Sequence, residues 1–149
     1  MLTPDGPKIL EYNCRFGDPE TQVVLPRLKS DLAEVLLAAC EGRLAETALE
    51  WTGEAAACVV LAAGGYPGVF RKGDPISGLT AAAAKPGARV FHAGTALHEG
   101  QVVTNGGRVL GITALGPTLR GAVDRAYAAA DAIAFDGKHC RRDIAARAL

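Results

Sequence analysis

"AAACVVLAA", residues 55–63, decides the fold. The run is continuously apolar and carries adjacent valines, and it shows no polar alternation. That pattern suits a strand buried on both faces. Glycine becomes frequent just after it, at Gly64, Gly65, Gly68, Gly73 and Gly78. Further strands are predicted at 88–92, 101–104 and 108–115. Asn105-Gly106-Gly107 separates the last two, and such a triplet is a strong hairpin signal because a type I′ turn needs positive φ. From Pro117 the period becomes helical. Leu119, Ala122, Val123, Ala126, Ala130 and Ile133 share one face, and Gly137 ends the helix. Residues 51–149 therefore read as a small α+β unit of mainly antiparallel strands with one long helix.

Upstream, Pro4-Asp5-Gly6-Pro7 is a turn signature. Residues 8–13 read as a short strand, which needs a partner from later in the chain or from sequence upstream of Met1. Residues 14–22 form a polar loop. Residues 23–28 are apolar and are interrupted by Pro26. Ser30-Asp31 opens a helix through Leu32, Val35, Leu36 and Ala39, and Gly42 stops it. A second short helical pattern covers 44–49 and leads to Trp51, which is expected at the junction of the two segments. The boundary is placed at 1–50 and 51–149, with no internal repeat and no low-complexity linker.

Bulk properties set limits on function. Of 149 residues, 49% are hydrophobic and 21% charged, and the net charge is zero. The chain therefore carries no basic excess for nucleic acid or membrane. Aromatic residues are only 5%, so the core must be built from Val, Leu, Ile and Ala. Cys14, Cys40, Cys58 and Cys140 share no C-x-x-C spacing, which predicts reduced thiols in a cytoplasmic protein. No segment has the layout of a signal peptide or the length of a membrane span.

The chemistry concentrates in "EYNCRFGDPETQ", residues 11–22. On a strand, Glu11 and Asn13 point to one face. A carboxylate and an amide oxygen together make a hard, oxygen-only site of the kind Mg²⁺ takes with phosphates and water. Arg15 suits bidentate capture of a carboxylate or phosphate. Asp18 and Glu20 suit an amine or sugar hydroxyls, and Gly17 and Pro19 hold the loop in shape. A lone Glu-x-Asn is more often a solvated strand edge than a metal site, and Arg15 with Asp18 or Glu20 can be a plain surface ion pair worth at most about 1 kcal/mol. The density of complementary polar groups favours a site.

These residues also carry a resemblance. "GPKILEYNCRFGDPETQVVLPRLKSDL" (6–32) resembles the signature of the phosphoribosylamine–glycine ligase family, also called glycinamide ribonucleotide synthetases, within the ATP-grasp superfamily. "GGYPG" (64–68), "KGDPISGL" (72–79), "VFHAGT" (90–95), "TNGGRVLGITALG" (104–116) and "RRDIAARAL" (141–149) follow in the family's order. Cys140 and Ala145 depart from the usual family residues, in the tail only. The resemblance implies that 1–50 is the end of an ATP-grasp core (strand, loop, helix) and that 51–149 is the ligase's carboxy-terminal domain. It implies ATP-dependent joining of glycine to 5-phosphoribosylamine through a glycyl phosphate, a step of purine synthesis. Glu11 and Asn13 would hold Mg²⁺ or Mn²⁺ against the ATP phosphates, and Arg15, Asp18 and Glu20 would lie where glycine and the ribosylamine meet. Arg108 would stand near the ribose phosphate and Lys72 near the mouth of the site. Family enzymes are a few times longer and carry an amino-terminal domain and a lysine-bearing ATP lid that this sequence does not contain. It is therefore expected to be a carboxy-terminal fragment or one chain of a split enzyme, inactive alone.

Other patterns are weaker. Gly64-Gly65-Tyr66-Pro67-Gly68 matches neither G-x-G-x-x-G nor G-K-[ST], so a tight turn is expected rather than a phosphate loop. An arginine on a glycine turn, as at Arg108, is commonly solvated. His92 is expected to be a hydrogen-bonded residue of the core or the substrate side rather than a metal ligand. Two rivals to the ligase reading stand: a non-catalytic metal- or metabolite-binding module, and a truncated remnant derived from the same ligase.

Overall fold

The structure is a computed structural model, and it describes residues 1–12 and 14–149. In chain order the elements are β1 (Leu2–Thr3), β2 (Gly6–Pro7), α1 (Thr21–Val24), α2 (Leu32–Cys40), β3 (Ala55–Ala62), α3 (Leu79–Ala83), β4 (Ala88–His92), β5 (Thr95–His98), β6 (Gln101–Thr104), β7 (Arg108–Gly116) and α4 (Leu119–Asp131). Short 3-10 turns follow α1 at Leu25–Arg27 and occur again at Leu44–Glu46. Among the described residues no helix is long and apolar enough to cross a membrane.

The main sheet has the order β3-β7-β4, with both pairs antiparallel. β7 is central and therefore packed on both faces. Leu110, Ile112 and Ala114 alternate along it and cluster with Val59 and Leu61 of β3 and with Ala126, Ala129 and Ala130 of α4. Alanines on the inward stripe of α4 let that helix sit close to the sheet. The alternate residues of β7 and β3 meet α1 instead: Thr113 Oγ1 donates to the Gln22 carbonyl at 2.8 Å, and the Cys58 thiol lies below Gly111. The run at 55–63 is thus apolar throughout because helices cover both faces. Burying each such Leu or Ile stabilises the fold by about 1.5–3 kcal/mol.

Capping agrees with the sequence. The Asp31 carboxylate accepts from Ala33 N–H at the start of α2, and the Thr118 hydroxyl accepts from Gly121 N–H at the start of α4. Lys138 Nζ reaches back to the carbonyls of Ala130 and Ile133, where the helix end leaves acceptors free.

Four expectations are corrected. Residues 8–12 form no strand, because no neighbouring strand offers them a ladder; Ile9, Leu10 and Tyr12 are exposed. Asn105-Gly106-Gly107 does not close a hairpin between β6 and β7. It carries the chain from one sheet to another, since β6 pairs with β5 and β7 with β3 and β4. The positive-φ turn is Glu99-Gly100 between β5 and β6, with φ of 48° and 77°. β5 itself went unread, as did α3. The helical pattern at 44–49 shrinks to the single turn Leu44–Glu46. Trp51 is 43% exposed and joins the first segment through a backbone bridge to Leu28.

Candidate functional site

The loop after residue 12 is set by local contacts. Thr21 N–H and its hydroxyl both bond the Gly17 carbonyl, which fixes the start of α1 over a buried Gly17. A Cβ on Gly17 would lie 1.9 Å from Glu20 Oε2, so the Glu20 carboxylate is folded back onto the glycine. Gln22 Nε2 donates to Asp18 Oδ1 at 3.1 Å. Arg15 Nη1 donates to the Phe16 carbonyl at 3.2 Å.

Arg108, the first residue of β7, arrives from 90 residues away. Its Nη2 is 3.2 Å from Asp18 Oδ2, and its Nη1 reaches the Asp18 carbonyl at 3.4 Å. Both side chains are about half exposed, so the pair alone contributes at most about 1 kcal/mol of stability. Its weight is geometric: it draws the end of the central strand onto the loop.

Between them lies a cavity of about 500 Å³, lined by Glu11, Arg15, Phe16, Gly17, Asp18, Glu20 and Arg108. Five of the residues singled out in the sequence therefore face one space. Asn13 falls outside the described residues. Lys72 is exposed on the connection from β3 to α3 and does not line this cavity. A smaller cavity of about 350 Å³ shares Phe16, Gly17 and Asp18 and adds Thr21, Gln22, Leu25, Phe91 and His92. Sequence reasoning assigned no site role to Phe91 and put His92 either in the core or on the substrate side. β4 pairs with β7 and sets His92 opposite Leu110, two residues from Arg108, and only that register brings His92 to the site. His92 Nδ1 is 3.0 Å from Thr95 Oγ1, as expected of a hydrogen-bonded histidine.

The donor set is informative. The larger cavity offers three carboxylates and two guanidinium groups and no histidine or cysteine. Among the described residues no three His, Cys, Asp or Glu side chains form a metal cage. Oxygen donors in ones and twos suit Mg²⁺ or Mn²⁺, which keep phosphate and water in their shells, and do not suit zinc. Under the loop, burial pushes the Cys58 thiol above its ordinary range. The neighbouring Thr113 side chain opposes that shift and the Asp18 charge adds to it. Cys58 is thus a neutral packing group. All four cysteines are free.

A family model described as "Phosphoribosylglycinamide synthetase, C domain" matches residues 56–147. The chain belongs to this family. The resemblance read from the motifs is borne out, as is the α+β class. The chain is 56% identical over 151 residues to phosphoribosylamine–glycine ligase of Synechocystis sp., covering 100% of this chain and 36% of that protein. The Escherichia coli K12 ligase is likewise 56% identical, and the chain covers 35% of it. The crystal structure of phosphoribosylamine–glycine ligase from Thermotoga maritima superposes with a TM-score of 0.75 at 38% identity, covering 96% of this chain and 34% of that one. The chain thus spans roughly a third of the length of the relatives it matches.

Proposed function

We propose that this chain supplies one wall of the active site of an ATP-dependent ligase joining glycine to 5-phosphoribosylamine. The observation that carries the reading is the convergence of Glu11, Arg15, Asp18, Glu20 and Arg108 on one cavity. The names and identities of the relatives support it. The remaining two thirds of the enzyme would bring the amino-terminal domain and the lid over ATP, and residues 1–50 would complete the ATP-grasp core. The four free thiols support a reducing, cytoplasmic setting.

Glu11, with Asn13, would hold Mg²⁺ or Mn²⁺. Bound there, the metal offsets phosphate charge while glycine's carboxylate is phosphorylated by ATP. Arg15 presents a fork suited to the glycine carboxylate. Asp18 is already committed to Arg108 and Gln22, which makes it a holder of the loop. Glu20 has no ion-pair partner among the described residues and stands free to take the proton released when the ribosylamine nitrogen attacks the acyl phosphate. Arg108 would meet the substrate's phosphate. Lys72 would act only at the mouth of the assembled site.

The test is a chimera in which this chain replaces the matching third of the Synechocystis ligase. It should form glycinamide ribonucleotide and ADP, with both glycine and phosphoribosylamine required. Glu11→Gln and Glu20→Gln should each lower kcat/KM by about 10²-fold or more. A folded chimera without turnover would overturn the reading and leave the metabolite-binding module. Turnover by residues 1–149 alone would overturn the division of labour.

A further inference from the structure

Arg108 reaches Asp18 from a strand end built almost wholly of glycine, and the structure shows what holds it there. Three turns stack beneath it. Ala63 N–H donates to the Gly107 carbonyl at 2.9 Å, Gly94 N–H donates to the Arg108 carbonyl at 2.8 Å, and Asn105 N–H donates to the Gly94 carbonyl at 2.7 Å. Gly94 and Gly106 are in backbone contact: a Cβ on Gly106 would lie 2.9 Å from the Gly94 Cα. The Tyr66 ring lies directly over Gly107. A Cβ on that glycine would stand 2.0 Å from Tyr66 Cδ2 and 2.5 Å from Cε2. Phe70 meets Tyr66 edge-on, with centroids 6.2 Å apart and planes at 63°. The contact is made by the Cδ2–Cε2 side of the ring, not by the hydroxyl.

We infer that Tyr66 is a positioning residue for Arg108: its ring seats Gly107 and thereby aims the adjoining guanidinium across the cavity at Asp18. The reason is mechanical. Glycine has the widest backbone freedom, and without a lid Gly107 would let the strand end wander. This also gives the GGYPG turn a role that neither its sequence nor the family match supplies. The inference rests on the proposed use of Arg108 only for its effect on catalysis; the positioning stands by itself.

The test separates the two. In ¹⁵N-labelled 1–149, the Arg108 side-chain Nε–Hε signal is assigned with Arg108→Lys. It should sit away from the free-arginine position and move toward it in Asp18→Asn. Tyr66→Ala should give the same movement with β7 amide signals retained, and Tyr66→Phe should leave the signal in place. Gly107→Ala, which displaces the ring, should reproduce Tyr66→Ala and serves should that variant fail to fold. An Arg108 signal unmoved by Asp18→Asn, or unmoved by both Tyr66→Ala and Gly107→Ala in a folded sheet, overturns the inference. In the chimera, Tyr66→Ala should raise KM for phosphoribosylamine about tenfold with kcat nearly unchanged. A moved signal with unchanged KM would uphold the positioning and remove Arg108 from the phosphate site.

Discussion

Gly17 sits at the tightest point of the loop. Its backbone carbonyl accepts from Thr21, and its missing side chain makes room for the Glu20 carboxylate. Gly17→Ala places a methyl where Glu20 Oε2 now lies, but that atom is the end of a flexible chain and can rotate away. The fold should therefore lose about 1 kcal/mol or less, while the displaced carboxylate should lower kcat/KM by about tenfold or more in the chimera. Paired melting and kinetic measurements check this; a large loss of stability with kinetics preserved would contradict it. At this scale the sequence was readable where chemistry is dense. Glu11, Arg15, Asp18 and Glu20 announce themselves by type and proximity. Arg108 needed the resemblance, because it lies 90 positions along the chain from its partner. His92 could be read only as core or substrate side, since its place depends on how β4 pairs with β7. Lys72 shows the converse: a suggestive motif whose side chain lies outside the cavity.

Elements were legible when their pattern had one cause. β3 and α4 are set by burial; β3 was read nearly to the residue, whereas α4 ends at Asp131, short of the Gly137 stop read from the sequence. The Asn105-Gly106-Gly107 turn misled because glycine has two uses. Here Gly106 and Gly107 serve close packing against Gly94 and Tyr66, while the left-handed turn falls to Glu99-Gly100. No local signal tells these uses apart. The carboxy-terminal segment adds an electrostatic element. Arg142 Nη2 lies 2.7 Å from Asp131 Oδ1 at the end of α4, and its guanidinium covers the Tyr127 ring at 5.4 Å. The hydrogen bond from Arg142 holds the Asp131 carboxyl below its ordinary range, with burial opposing. A carboxylate with a lowered folded pKa stabilises the fold above its unfolded value, near 4, and loses that contribution as pH falls through the folded value. Acid should therefore loosen residues 141–149 from α4 below about pH 4, by well under 1 kcal/mol because the pair is exposed. Amide exchange in α4 and the tail, compared between native chain and Asp131→Asn, tests this. The variant should lose the acid dependence of tail protection.

Across the whole molecule, apolar surface is distributed unevenly. Twelve of the fifteen exposed large hydrophobic side chains among the described residues lie in the first 51 positions. Residues 52–149 close around the sheet and α4 and leave only Val69, Leu97 and Leu149 in that class. Ile9, Leu10 and Tyr12, at 70%, 74% and 79% exposure, lie outside any strand or helix. Such a segment is an exposed apolar patch, which soluble proteins ordinarily cover. Capping, turn chemistry and core packing agree throughout the second segment, so poor folding does not explain the exposure of the first. The chain spans about a third of its relatives, and in the proposed reading the other two thirds of the ligase lie against this surface. The isolated chain should accordingly self-associate as its concentration rises, and Leu10→Lys with Tyr12→Lys should weaken that association without lowering the melting temperature. Adding the remaining part of the Synechocystis ligase should replace self-association by a one-to-one complex in sedimentation velocity. A chain that stays monomeric at every soluble concentration and ignores the added part would show that residues 9–12 are not an interface. The segment would then have to be held by contacts within the chain that this fold does not contain.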